Sequence, residues 1–314
     1  MHQQSFCLAR IVACLFFCCT AGVGYAQTNT YLFTQSVQSF SQSSHGIVLG
    51  TESNAGLRSF LDPSLPAGST TATTGPGFPI GFNFIFRGVA YDRFGVMNSG
   101  WICLGRSQYG NQAVDIGQLQ YQPLEKIGPA NDTLRARIVG FDANLIGNGT
   151  SSSLAYDITG DSTDMTLIIK WKNYKLFQSS GTNYTSVNFE IRLNALDHSI
   201  DIRYGEVAIL GYNSSSFCNI GLGGFYLSDF NNRKTPANRN WNQTTTGLAY
   251  TDDCAMQSTS IPPEFGLNFH WAPAACPAIP QLLHAYLTQD SCSLIWPSPI
   301  NISEPEFEYA LTTS

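Results

Sequence analysis

Apolar and polar residues alternate with a period of two through much of the chain beyond residue 27, and turn-rich stretches separate the alternating runs. This period predicts half-buried strands. It is clearest in Ile80-Gly81-Phe82-Asn83-Phe84-Ile85-Phe86-Arg87 and returns at 134–141, 154–158, 165–171, 187–193 and 199–204. Shorter apolar runs at 31–36, 47–50, 91–97, 101–105, 217–222, 247–250 and 265–271 predict further strands. Asn98-Ser99-Gly100 supplies turn chemistry between two of them. Gly160-Asp161 and Leu196-Asp197-His198 read as hairpin turns. Residues 63–79, rich in Ser, Thr, Pro and Gly, read as loop. About a dozen closely spaced strands with little helical periodicity predict an all-β fold. The expected architecture is a large antiparallel β-sandwich, jelly-roll-like, over residues 27–271, which is long but allowed for one all-β domain. A Pro/Ala-rich linker is expected at 272–276.

Residues 1–26 read as a signal peptide rather than as fold. Arg10 gives the positive start, residues 11–20 the apolar run, and Gly24-Tyr25-Ala26 a small-x-small cleavage site before Gln27. The apolar run is shorter than the roughly 20 residues of a membrane span. The expected location is therefore secreted or cell-surface.

Cleavage removes Arg10 alone among the Lys, Arg, Asp and Glu residues, so the formal net charge of −6 becomes one unit more negative. An acidic chain without a basic cluster argues against nucleic-acid partners. Charged residues make up 12% of the chain, against about 25% in an ordinary globular protein. Ser, Thr, Asn, Gln and Gly fill the surface instead, as is common in proteins that work outside the cell. Of nine cysteines, Cys7, Cys14, Cys18 and Cys19 leave with the signal. Cys103, Cys218, Cys254, Cys276 and Cys292 remain, enough for two disulfides and one free thiol in an oxidising compartment. Cys103 and Cys218 lie in apolar runs and read as buried thiols; Cys254, in a polar loop, is a candidate partner for Cys276.

The run 80–88 just quoted is followed by Tyr91-Asp92-Arg93-Phe94-Gly95-Val96-Met97-Asn98-Ser99-Gly100-Trp101-Ile102-Cys103-Leu104-Gly105. Together they resemble the N-terminal β-sandwich of large multidomain bacterial proteins exported by the type IX secretion system. Residues 169–174, 187–193 and 200–205 fit the same pattern. One departure is Met97-Asn98-Ser99-Gly100, where that family usually has Ser-Asn-Gly. The resemblance implies a scaffold and carries no catalytic residues. In such proteins fibronectin type III repeats often follow. Here residues 277–314 resemble the opening of one, with strands at 282–287, 292–296 and 307–311 that carry Trp296 and Tyr309. A complete domain of that kind needs about seven strands in about 100 residues, so this one is incomplete.

Two clusters are candidates for chemistry. Asp157, Asp161 and Asp164 gather carboxylates around a turn, and hard oxygen ligands suit Ca²⁺. The competing reading is a solvated hairpin with Asp and Gly as turn formers. Trp241 stands among Arg239, Asn240 and Asn242, where an indole can stack on a sugar while amides bond its hydroxyls. The competing reading is a loop Trp that caps the core. No Gly-x-Ser-x-Gly elbow or His-Glu-x-x-His motif is present. Glu190 and Asp201, on neighbouring strands, are candidates for a glycosidase pair; the competing reading is ordinary exposed polar positions. The expectation is a non-catalytic extracellular module for binding, adhesion or domain presentation, with a glycan or protein as ligand. The alternatives are the accessory front of a secreted hydrolase and a carbohydrate-binding module.

Overall fold

A computed structural model describes residues 28–42, 45–50, 57–65, 70–117, 123–124, 136–177, 185–209, 217–226, 228–257, 259–274, 284–287 and 292–295. The chain divides into two compact units, Met1–Pro273 and Ala274–Ser314. The first carries β1 (Tyr31–Val37), β2 (Ile47–Gly50), β3 (Ser59–Phe60), β4 (Thr74–Gly75), β5 (Phe78–Phe86), β6 (Val89–Met97) and β7 (Trp101–Gly105). Next come β8 (Val114–Asp115), β9 (Arg137–Val139), β10 (Leu145–Gly147), β11 (Ser153–Thr159), β12 (Thr166–Leu176), β13 (Thr185–Asn194) and β14 (Ile200–Ile209). Last are β15 (Phe217–Cys218), β16 (Gly221–Gly223), β17 (Phe230–Lys234), β18 (Thr245–Thr246), β19 (Cys254–Ala255) and β20 (Leu267–Pro273).

Sixteen of these strands build two large antiparallel sheets, and β4 with β8 and β15 with β19 form separate two-stranded ladders. Sheet I runs β1-β20-β14-β13-β12-β11-β2, with β10 also on β12. Sheet II runs β18-β17-β16-β9-β7-β6-β3, with β5 also on β6. Alternation sends one set of side chains from each sheet into a shared core, as period-two patterning requires. Leu167, Ile169, Trp171, Phe189, Ile191, Ile202 and Tyr204 come from sheet I; Phe84, Phe94, Val96, Ile102, Leu104 and Ile138 come from sheet II. The two layers touch directly. Tyr156 meets Phe94 with ring centroids 5.3 Å apart, and the Tyr204 hydroxyl donates to Gly140 O at 2.7 Å. The fold is the expected β-sandwich.

β7 is buried at every position, which alternation alone does not explain. Its outward side chains, Trp101 and Cys103, join Met97 and Val139 in a second core with Leu61, Val114, Ile116 and Leu124. Arg137 ties this cover down by donating to Pro123 O at 2.7 Å and Ile116 O at 3.0 Å. A strand covered on both faces reads as a continuous apolar run. The turn before it is equally enclosed: Gly100 has φ +99°, and a Cβ there would lie 2.1 Å from Phe141 O.

The outer face of sheet I is covered differently. β1 and β2 lie at opposite edges of that sheet, so the segment joining them crosses it. Phe40 packs over Gly205 and against Phe265. Gln42 Nε2 donates to Trp171 O at 3.2 Å and Phe189 O at 3.3 Å. His45 O accepts from Lys170 Nζ at 2.5 Å.

In the second unit, β21 (His284–Leu287) pairs antiparallel with β22 (Cys292–Ile295). Residues 1–26 and the strand expected at 307–311 lie outside the described residues. Among the described residues no helix is long and apolar enough to cross a membrane.

Candidate functional site

An open groove of about 590 Å³ lies where the edge strand of sheet I, β1, meets β17 and β18 of sheet II. Its construction begins at Asp229. That carboxylate accepts from Thr28 N at 2.7 Å and Thr28 Oγ1 at 2.8 Å, and forms a buried ion pair with Arg87. The chain entering β1 is thereby pinned to sheet II. Asn231 continues the seam, with Nδ2 donating at 2.9 Å to both Thr28 O and Tyr31 O, and Oδ1 accepting from Trp271 Nε1 at 3.1 Å. Arg233 lies 3.7 Å from the Phe33 ring centroid. It donates to Thr244 O at 2.8 Å and Thr246 Oγ1 at 2.9 Å. Burial lowers its pKa to about 10, so it stays cationic at neutral pH. The side chains of Asn231 and Arg233 are thus satisfied internally. Leu32 and Leu248 line the groove at 64% and 88% exposure, with Asn29, Ser228 and Thr246 also exposed.

A second concavity, about 390 Å³, is lined by Lys234, Arg239, Asp252, Asp253 and Gln257, among others. Lys234 Nζ lies 3.0 Å from Asp252 Oδ1. Burial alone would push Asp252 up, but N–H groups of Leu248 and Ala249 and the Lys234 ammonium hold it below the usual carboxylate range.

The residues expected to bind a sugar are dispersed in role. Trp241 is fully buried. It opens a short 3-10 turn, Trp241–Gln243, which the Asn240 side chain caps by accepting from Asn242 N at 2.9 Å. The turn rolls the indole inward, onto Phe141 with centroids 5.7 Å apart and against Tyr204 at 5.8 Å. Its Nε1 donates to Ala255 O at 2.8 Å. An indole with no exposed face cannot stack on a sugar, so the core-capping alternative describes Trp241. Asn242 is spent on the segment before β20, accepting from Glu264 N at 3.0 Å. Arg239 alone of the set lines a concavity, and it donates to Thr259 Oγ1 at 2.5 Å.

The three carboxylates considered for Ca²⁺ do not converge. Asp157 lies on β11, 3.7 Å from Lys170 Nζ. Asp161 caps the turn, accepting from Thr163 N at 3.0 Å and Thr163 Oγ1 at 2.8 Å, and these bonds lower its pKa. Asp164 is exposed, with its backbone N donating to Asp161 O. Among the described residues no three His, Cys, Asp or Glu side chains are grouped to hold a metal. The solvated-hairpin alternative fits this geometry.

Glu190 and Asp201 do share the outer face of sheet I, under and beside the crossing segment. Neither is an ordinary exposed position: they are 1% and 5% exposed. Glu190 pairs with Arg192 at 2.7 Å. Asp201 accepts from Asn194 and Asn268 at 2.9 Å and contacts His270 Nδ1 at 2.8 Å. Burial would raise the Asp201 pKa, but these bonds outweigh it and bring it to about 2. A glycosidase acid needs the opposite shift. The burial of Glu190 is invisible in alternation, because Gln42 and His45, which reach the neighbouring Phe189 and Lys170, come from a distant part of the chain; Asp201 is enclosed by partners on β13 and β20.

Residues 30–259 match the sequence pattern of the NIDO-related family over most of the chain. The chain belongs to the NIDO-related family. No curated protein and no solved structure matches it. The NIDO-related match opens one residue before β1 and closes before β20, yet β20 completes sheet I by inserting between β1 and β14. The folded unit is therefore slightly longer than the matched region.

Proposed function

We propose that this NIDO-related chain is exported and works outside the cell as a non-catalytic binding module, with the β1/β17/β18 groove as its contact surface. The observation that carries the reading is the groove itself, where Asn231 and Arg233 spend their side chains on internal hydrogen bonds and Leu32 and Leu248 stand exposed. When these donors and acceptors are already paired, affinity comes from burying the two leucines, which suits a protein surface better than a sugar. The apparent signal peptide supports export. Asp201 and Glu190, the best-placed carboxylates for hydrolysis, are spent on structural partners. On this reading residues 277–314 open a fibronectin type III-like domain, and β21–β22 is its first strand pair.

Two measurements test it. N-terminal sequencing of the protein recovered from culture medium or the cell surface should begin at Gln27. Beads coated with the purified chain should capture extracellular proteins of the producing cell's habitat, and Leu32→Asp with Leu248→Asp should abolish capture without lowering Tm. Unchanged capture by the double variant rules out the groove, and hydrolysis of a panel substrate rules out the non-catalytic reading.

A further inference from the structure

Among the described residues three cysteines are free thiols, all buried: Cys103, Cys218 and Cys254. Cys103 stands apart in the second core, its Sγ near Gly95 O at 3.7 Å. The other two face each other. β15 and β19 form a short antiparallel ladder in which Cys218 is the register partner of Cys254. Directly opposed residues in such a ladder have Cα atoms about 4.5–5.5 Å apart. That separation falls inside the roughly 4.4–6.8 Å that a disulfide spans without backbone movement. Both side chains belong to the same core, beside Tyr204. The Cys254 thiol points for now to Arg233 O at 3.7 Å, a weak contact that a χ1 rotation releases.

We propose that Cys218 and Cys254 form a cross-strand disulfide, closed while the exported chain folds, that staples the edge of sheet II carrying β16, β17 and β18. The three strands lie in the loop that the bond would close, and β17 and β18 line the groove. The reaction breaks two S–H bonds and makes one S–S bond. Two protons go to solvent and two electrons go to an exchanging disulfide of the glutathione or dithiol-oxidase class. The attacking species is a thiolate. Burial raises both thiols' pKa, so the folded reduced protein holds almost no thiolate at either position. The bond therefore forms before β15 and β19 are enclosed, and afterwards the pair keeps the state in which it folded. The presence of oxidant at that moment rests on the export reading; the pairing rests on register alone.

The test is peptide mapping. The reduced, denatured chain is refolded with a mixture of reduced and oxidised glutathione, free thiols are alkylated, and the protein is digested without reduction. The expected result is a linked peptide joining Cys218 to Cys254 and an alkylated Cys103. Closing a loop of about 36 residues should place the Tm of this form on the order of 10 °C above that of protein refolded in reductant. Cys218→Ser should abolish the difference. Alkylated Cys218 and Cys254 in the glutathione-refolded sample overturn the pairing. The same mapping on protein from its natural source separates the two readings: thiols there, with a linked pair after refolding, refute an oxidising destination and leave the geometry standing.

Discussion

Asp229→Ala removes one carboxylate and leaves four partners behind. Thr28 N and Oγ1 lose acceptors at 2.7 and 2.8 Å, and Phe225 N loses one at 3.2 Å. Arg87 loses its counter-charge where both side chains are 2% exposed. The guanidinium has little else to turn to. It lies 4.1 Å from the Phe225 ring centroid, and its Nε and Nη1 have no hydrogen-bond partner. Breaking a buried pair by deleting one partner costs about 3–5 kcal/mol, and each buried donor left unsatisfied adds about 1–3 kcal/mol. Water entering from the groove offsets part of the latter, so about 5 kcal/mol is expected. For a domain of this size that lowers Tm by roughly 10–20 °C. Urea unfolding followed by Trp fluorescence at pH 7 reads the cost. Hydrogen exchange in β1 should rise in the same variant, because Thr28 no longer holds the strand's entry. Arg87→Met with Asp229→Leu removes both charges and should cost less than Asp229→Ala alone. A single-variant loss below about 1 kcal/mol, or a double variant no better than the single, refutes the reasoning.

Trp241→Ala should destabilise the sandwich by about 3–5 kcal/mol in urea titration, since it empties an indole-sized space beside Phe141 and Tyr204. Gly100→Ala should cost at least about 2 kcal/mol, because the turn needs φ +99° and the new methyl meets Phe141 O; a Tm within 1–2 °C of wild type, roughly the shift of a neutral surface change, would contradict it. The Asp201–His270 contact gives a pH signature. Asp201 titrates at about 2 when folded, below its unfolded value of roughly 3.9, so its contribution is present above about pH 4 and lost as pH falls toward 2. The hydrogen bond to Asp201 raises His270, so that contribution is present below about pH 6.5 and lost as pH rises through the raised value. His270→Gln should therefore flatten the alkaline side of the stability–pH curve and also weaken the acid limb, because the His270 hydrogen bond is the largest of the contacts that lower Asp201, while the Asn268 and Asn194 bonds keep part of that limb.

The strands of the sandwich are legible in the sequence because a period of two is a local property, and so are its tight turns. Asn98-Ser99-Gly100, Gly160-Asp161 and Asp197-His198 all turn where their chemistry suggests, with Gly160 at φ +90° and His198 at φ +57°. The unread features depend on distant contacts. Trp241 looks like a surface aromatic because its neighbours are polar; a capped 3-10 turn separates its direction from theirs. Alternation places Glu190 and Asp201 outward correctly, yet nothing near them in sequence announces that Gln42 and His45 reach that face. The groove is equally non-local, since Thr28 and Asp229 are 201 positions apart.

The pairing of β1 with β20 also fixes how the module would bear load. Tyr31 lies opposite Pro273, so the chain enters and leaves the unit at the same end of one antiparallel ladder. A pull delivered through the exit at Pro273 would act at that end and load the ladder's bonds one after another, as a zip opens, instead of shearing them all together. The closest restraint on the entering side is the grip of Asp229 on Thr28. The unit is thus loaded from one end: the bonds nearest Tyr31 and Pro273 take a pull before the rest of the sheet does.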